Sequence, residues 1–236
     1  GLLDTISAMI IYGKQLFLHL LKHHKDKLEE IYLAKEVQKD IFNEIAKVGL
    51  KIQKVDNQKA QALARGGNHQ GFLAKVKDYE FATLNGIKKS DYLVILYGLS
   101  DVGNIGAIVR TAYALGADGI VIVGKNESLA MQGVVRASSG AAYELPIALC
   151  TDGLSFINEL KQVGFKIYAA NAGGKSTKEF KFGPKTALIM GSEGEGIPNK
   201  VLQKCDESLG INMRKDWDSL NVSVAFGILF DRIING

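Results

Sequence analysis

Thr186-Ala-Leu-Ile-Met-Gly-Ser-Glu-Gly-Glu-Gly-Ile-Pro198 is the stretch from which the chain can be read. The apolar run from Ala187 to Met190 predicts a buried strand. It empties into a loop with three glycines in six residues, and Pro198 ends it. Glycine at that density permits positive φ and close approach of backbone to a ligand. A phosphate-cradling loop offers backbone N–H groups and a lysine. Here Glu193 and Glu195 put two carboxylates in the same turn, and these would repel phosphate. A neutral or cationic ligand suits the loop better, for example an adenosyl group bearing a sulfonium. An ordinary surface turn would read the same way from this segment alone.

On either side of the loop, strands and helices alternate from Tyr92 onward. Apolar runs predict strands at Tyr92–Tyr97, Gly119–Val123, Ile147–Leu149, Lys166–Ala170, Thr186–Met190 and Ser208–Met213. Helices are expected over Asn104–Leu115, Leu129–Ala137, Gly153–Val163, a short segment after Pro198, and Val222–Ile234. Uninterrupted apolar strands separated by helices make a parallel sheet covered on both faces. Ligands of such sheets bind beyond the carboxyl ends of the strands. The Gly191–Gly196 loop lies at one of those ends.

Upstream the elements are shorter. Helices are expected over 14–24, 37–48 and Asn57–Arg65, with strands at Leu28–Ala34, Lys51–Val55 and Phe72–Val76. This predicts a small α/β domain over 9–77, a linker over 78–91 that contains an Asn-Gly turn, and a larger α/β domain over 92–236. Residues 1–8 precede Met9 and are left out of the fold reading.

Net charge is +4, and it is unevenly placed. Residues 9–77 hold 13 Lys/Arg against 7 Asp/Glu, a net of +6. Such a basic third of the chain suits a polyanion, although a solvated lysine-rich helix surface has the same composition. No apolar run reaches membrane-spanning length, and a signal peptide's basic start and cleavage site are absent. Cys150 and Cys205 have neither metal nor redox spacing and read as small buried hydrophobes. A reducing cytoplasm is the expected compartment.

Three further segments could carry chemistry. Gly98–Arg110 follows a strand and opens a helix, with Asn104 as the expected N-cap. On the helical wheel Arg110 lies opposite the stripe of Ile105, Ile108, Ala112 and Leu115, so it faces water, a partner or a ligand. In Ile211–Asn221 a strand runs into a polar loop where Ser219 or Asn221 can cap the last helix. Trp217 in that loop could pack or stack. In Ala64–Gly71, Arg65, Asn68, His69 and Gln70 sit on a glycine-flexed loop and offer donors to phosphates and base edges; a plain polar turn is the alternative. His19 and His23 are four apart but lack the glutamate of H-E-x-x-H, so no metal is expected.

Taken together, Asn-Ile-Gly-Ala-Ile-Val-Arg-Thr (104–111), Leu-Ile-Met-Gly-Ser-Glu-Gly-Glu-Gly-Ile-Pro (188–198) and Ile-Asn-Met…Ser-Leu-Asn-Val-Ser-Val-Ala (211–225) resemble the signatures of the SpoU/TrmH family of RNA 2′-O-ribose methyltransferases. The Ala-Arg-Gly-Gly-Asn-His-Gln-Gly loop extends the resemblance to the L30e-like domain of RlmB-type enzymes, which methylate a guanosine of 23S rRNA. The resemblance implies a C-terminal SPOUT α/β fold with a deep trefoil knot, a homodimer, and S-adenosylmethionine as cofactor. It further implies cofactor contacts from Gly191, Ile211 and Leu220, with Ala170, Asn171 and Met213 adding to the pocket. Asn104, Arg110, Glu193, Ser219 and Asn221 match the family's catalytic or substrate-positioning residues. Its third motif usually reads Ile-Pro-Met-x-Gly. Asn212 and Lys215 depart from that pattern, which restores an N–H and removes easy access to positive φ.

The implied function is methyl transfer to a ribose 2′-hydroxyl of a guanosine in 23S rRNA. A tRNA ribose methyltransferase is the alternative within the class, and an inactive RNA-binding or ribosome-assembly factor is the alternative outside it. Arg110 is the family's proposed base, yet a guanidinium is effectively always protonated. A phosphate clamp or oxyanion stabiliser fits it better, which leaves Glu193 as a candidate proton acceptor.

Overall fold

The computed structural model describes residues 9–125 and 129–236; residues 1–8, set aside in the sequence reading, lie outside that range. Backbone packing divides the chain into two units. Residues 9–80 group with Met131–Tyr143, and Phe81–Ala130 groups with Glu144–Gly236. The sequence reading gives all of 92–236 to one domain, whereas Met131–Tyr143 packs with the first unit.

The first unit runs β1 (Met9–Tyr12), α1 (Lys14–His23), β2 (Leu28–Leu33), α2 (Lys39–Lys47), β3 (Lys51–Lys54), α3 (Asn57–Leu63) and β4 (Phe72–Val76). Its sheet has the order β1-β4-β2-β3, antiparallel except for the parallel pair β2–β3. Strand β1 is missing from the sequence reading, because a four-residue apolar run beside a helix shows no alternation to detect. Asp56 caps α3 by accepting from Lys59 N at 2.8 Å. That helix packs Ala60 and Leu63 against Ile10, Tyr12, Tyr32 and Leu73.

The second unit begins with α4 (Leu84–Ile87) and continues β5 (Tyr92–Tyr97), α5 (Val102–Leu115) and β6 (Gly119–Val123). In chain order α6 (Met131–Ala137) comes next and belongs to the first unit. The second unit resumes with β7 (Ile147–Cys150), α7 (Gly153–Gln162), β8 (Lys166–Lys175), β9 (Thr186–Gly191), α8 (Asn199–Leu202), β10 (Glu207–Leu209) and α9 (Val222–Asn235). The sheet order is β10-β8-β9-β5-β6-β7, and every pairing is parallel, as expected. Helices α5 and α9 pack on each other. They bury Ile105, Ile108, Val109 and Ala112 on one, and Phe226, Leu229, Phe230 and Ile233 on the other. Burial of a large apolar side chain contributes about 1.5–3 kcal/mol, so this pair holds the end of the chain firmly.

Several boundaries differ from expectation for local reasons. Asp101, not Asn104, caps α5, accepting from Asn104 N at 2.8 Å. The helix starts earlier, and the Asn104 side chain is released for another task. Within the expected linker, the Asn85-Gly86 pair lies inside the one-turn helix α4, whose cap Thr83 accepts from Gly86 N. Strand β10 ends at Leu209 rather than Met213, while β8 runs on to Lys175. The two strands approach so closely that a Cβ on Gly174 would lie 2.6 Å from the Leu209 carbonyl carbon and 2.8 Å from Gly210 N. Only glycine fits there. Gly174→Ala should therefore lower the urea midpoint by the equivalent of about 1–3 kcal/mol, the usual cost of overpacking. Gly183→Ala, with nothing within 4 Å of the added carbon, should leave it unchanged. Equal midpoints for the two variants would show that the crossing tolerates a side chain.

Candidate active site

The carboxyl ends of β8 and β9, the loop after β10 and the start of α9 enclose a cavity of about 430 Å³. Gly191 ends β9, and a Cβ there would lie 2.6 Å from the Gly196 carbonyl carbon and 2.7 Å from Ile197 N. The loop can fold back on the strand only because that carbon is missing. Ser192 closes the turn, its carbonyl accepting from Gly196 N at 2.9 Å. Gly196 takes φ +66°.

All six residues expected to contact a cofactor line this cavity: Ala170, Asn171, Gly191, Ile211, Met213 and Leu220. Glu193 and Ser219 line it as well. Asp218 is absent from the sequence expectations, which leave Trp217 open between packing and stacking. Both belong to the wall, and Trp217 at 75% exposed is no core residue. Their only sequence signal is adjacency to Ser219. Loop residues 211–221 form no regular element. Among the described residues, non-glycine positive φ occurs at Arg65, Gln70, Ser139 and Lys185, so Lys215 meets no demand for glycine.

Asn221 connects the three motifs. Its Oδ1 caps α9, accepting from Ser223 N at 2.9 Å and Val224 N at 3.4 Å. Its Nδ2 donates to Asn104 Oδ1 at 3.1 Å and to Glu193 Oε1 at 3.2 Å. The same Glu193 oxygen accepts from Val222 N at 3.1 Å. Glu193 thus sits at the amino end of a 14-residue helix, where the helix dipole favours a carboxylate by about 0.3–1 kcal/mol. Its Oε2 makes no hydrogen bond among the described residues. Arg110 is exposed on α5 and is not among the cavity's lining residues.

The lining suits a particular kind of ligand. Met190, Ile197, Leu209, Leu220 and Leu229 give an apolar wall, while Glu193 and Asp218 supply carboxylates. Small-molecule pockets span roughly 300–1,000 Å³ with few polar groups. A molecule with an apolar ring system and a cationic centre fits both the volume and the donor set. Neither thiol competes as a nucleophile. Burial pushes Cys150 up, and burial followed by Asp206 pushes Cys205 up to about 11.

The basic loop of the first unit is arranged differently from the expectation. Arg65 and Asn68 are exposed, as donors to a nucleic acid must be. His69 is only 8% exposed, and its Nδ1 accepts from Gly71 N at 2.9 Å. Gln70, at φ +53°, turns its Oε1 to Lys14 N at 2.9 Å. The buried His69 braces the loop from inside, and the exposed Gln70 ties it to the start of α1.

The Asn221 bridge can be tested apart from its cap. Asn221→Ala should lose about 1 kcal/mol of stability. Asn221→Asp keeps a good cap but sets a carboxylate against Glu193. It should retain most of the stability yet bind S-adenosylmethionine, the ligand that the resemblance implies, at least several-fold more weakly by calorimetry. Wild-type affinity in Asn221→Asp would show that the bridge does not shape the cavity.

Comparison with known proteins agrees with this geometry. Residues 91–231 match the SpoU rRNA Methylase family, and residues 10–82 match the RNA 2′-O ribose methyltransferase substrate binding family. The chain is 32% identical over 231 residues to the provisionally named TrmH family tRNA/rRNA methyltransferase YacO of Bacillus subtilis, covering 93% of this chain and 92% of that one. It is 31% identical over 238 residues to the 23S rRNA (guanosine-2′-O-)-methyltransferase RlmB of Haemophilus influenzae, covering 95% and 96%. The fold is similar to a crystal structure of an AdoMet-bound rRNA methyltransferase from Sinorhizobium meliloti. The TM-score is 0.80 at 24% identity, covering 98% of this chain and 88% of that one. With two of its three motifs lining one cavity, the third tied to them through Asn221, and both parts of the chain matched, the protein belongs to the SpoU rRNA methylase family.

Proposed function

We propose that the protein transfers a methyl group from S-adenosylmethionine to the ribose 2′-hydroxyl of a guanosine in 23S rRNA. The observation that carries this reading is the convergence of residues 170–173, 190–197 and 209–222 on one cavity, tied to Asn104 through the Asn221 amide. When bound, S-adenosylmethionine supplies an electrophilic methyl group on a sulfonium. Gly191, Ile211 and Leu220 hold it, with Ala170, Asn171 and Met213 completing the pocket. Glu193 and Asp218 supply the negative charge that a sulfonium and an ammonium need.

The remaining work falls to the chain's own side chains. Position and alignment of the ribose oxygen supply much of the acceleration. That oxygen must also lose its proton, and Glu193 takes it through Oε2, because Oε1 is occupied by Val222 N and Asn221. Ser219, on the cavity wall, orients the ribose. Arg110 binds a substrate phosphate and stabilises developing negative charge, which suits a permanently protonated guanidinium.

The same reading extends to the molecule's surroundings. The first unit, an L30e-like domain, holds RNA through Arg65 and Asn68. The end of the chain forms a trefoil knot, consistent with the tight β8–β10 crossing at Gly174 and Gly210. Tyr113 and Val224, 46% and 52% exposed on α5 and α9, offer an apolar face to a second copy. An rRNA substrate places the enzyme in the cytoplasm. No helix among the described residues is long and apolar enough to cross a membrane. A tRNA ribose methyltransferase is the second reading, favoured by the tRNA/rRNA name of the Bacillus relative.

Methyl transfer from labelled S-adenosylmethionine to purified 23S rRNA and to tRNA separates the two readings, and mapping the product locates the nucleotide. Label confined to tRNA would overturn the first reading. Arg110→Ala should cut turnover at least 100-fold with cofactor affinity retained; wild-type turnover would remove Arg110 from the mechanism. Glu193→Gln should flatten the pH–rate profile of the reaction. A profile of unchanged shape would exclude Glu193 as proton acceptor.

A further inference from the structure

The connection between β6 and β7 does something that its place in the chain does not suggest. Helix α6 packs against β1 of the first unit. Gln132 Oε1 accepts from Ile10 N at 2.8 Å, which satisfies a donor on the open side of an edge strand. One turn later, the Arg136 guanidinium carbon stands 4.0 Å from the centroid of the Tyr12 ring. Tyr12 is itself buried, and its hydroxyl abuts Gly67: a Cβ on Gly67 would lie 2.1 Å from that oxygen. The ring therefore has Arg136 on its face and the Arg65–Gly71 loop at its edge.

Arg136 is exposed, and no carboxylate pairs with it among the described residues. The same is true of Arg65 across the loop. Stacking on an aromatic face holds the guanidinium plane while its edge N–H groups remain able to donate. A guanidinium held this way is ready for a phosphate, whose two oxygens match its fork. We infer that Arg136 is an RNA phosphate contact, carried to the loop by the β6–β7 connection and held in place by Tyr12. The inference rests on the reading that the chain acts on RNA, and it adds to that reading a residue lying far in sequence from the Arg65–Gly71 loop.

A purely structural Arg136, pinning α6 to β1, would have the same stack. The salt dependence of binding separates the two roles, because each lost phosphate contact lowers the slope of log K against log salt by about 0.7–0.9. Binding of in vitro transcribed 23S rRNA is measured across a salt series for the full chain. Arg136→Ala should weaken binding about 5- to 10-fold at 150 mM salt and reduce the slope by about one contact. Arg136→Lys should recover the slope and part of the affinity, whereas Arg136→Gln should recover neither. Thermal unfolding and S-adenosylmethionine binding should match wild type in the Lys and Gln variants. An unchanged slope in Arg136→Ala, or recovery by Gln, overturns the inference and leaves the methyltransferase reading intact. Wild-type protein that binds RNA tightly but transfers no methyl group defeats that reading and leaves the contact standing. Wild-type protein with no salt-dependent RNA binding overturns both.

Discussion

One side-chain amide sets the geometry of the second unit's functional end. Asn221 spends its oxygen on the first turn of α9 and its nitrogen on Asn104 and Glu193. These groups come from three segments separated by 117 and 28 positions. The bond to Asn104 joins neutral groups and contributes only about 0.5–1.5 kcal/mol net, and the bond to the Glu193 carboxylate is solvent-exposed, so the amide is a modest source of stability. Its importance is directional. It fixes which way the Glu193 carboxylate points, and it does so from a helix end that the α5–α9 packing already holds still.

That arrangement depends on backbone surfaces meeting where no side chain fits. Gly191 lets the acidic loop fold back on its strand, and the Gly174–Gly210 contact lets β8 and β10 run edge to edge. The strand ends then become cavity walls made largely of main chain. A wall of this kind recognises shape and backbone hydrogen bonding, and it needs few charged side chains to hold a cation. Glu193 and Asp218 supply those. Asp218 lies in an irregular loop that tolerates Asn212 and Lys215 without positive φ.

In the first unit the polar loop follows the opposite logic. His69 and Gln70 are committed to Gly71 N and Lys14 N, and Gln70 is held in a left-handed conformation that costs of order 1–3 kcal/mol. Rigidity of that kind costs stability but spares the loop an entropy loss when a ligand binds. Arg65 and Asn68, exposed like Gln70, are left for the ligand. Tyr12 supports the loop from beneath and links it to Arg136.

The order of the large sheet's elements could be read from the chain because uninterrupted apolar strands such as Tyr92–Tyr97 and Thr186–Gly191 are buried on both faces, and burial leaves a local composition signal. The cavity residues were legible for a different reason, since their motifs recur as contiguous words. Four features were decided only by the tertiary structure. Strand β1 exists because β4 offers it an edge. Asn104 gives up the cap to Asp101 because Asn221 claims its side chain. His69 turns inward because Gly71 N needs an acceptor, and Met131–Tyr143 leaves its sequence neighbours because Ile10 N and the Tyr12 ring receive it. In each case the deciding partner is a backbone donor or a ring remote in sequence or hidden by a turn, and no local pattern of residue types records where such a partner will stand.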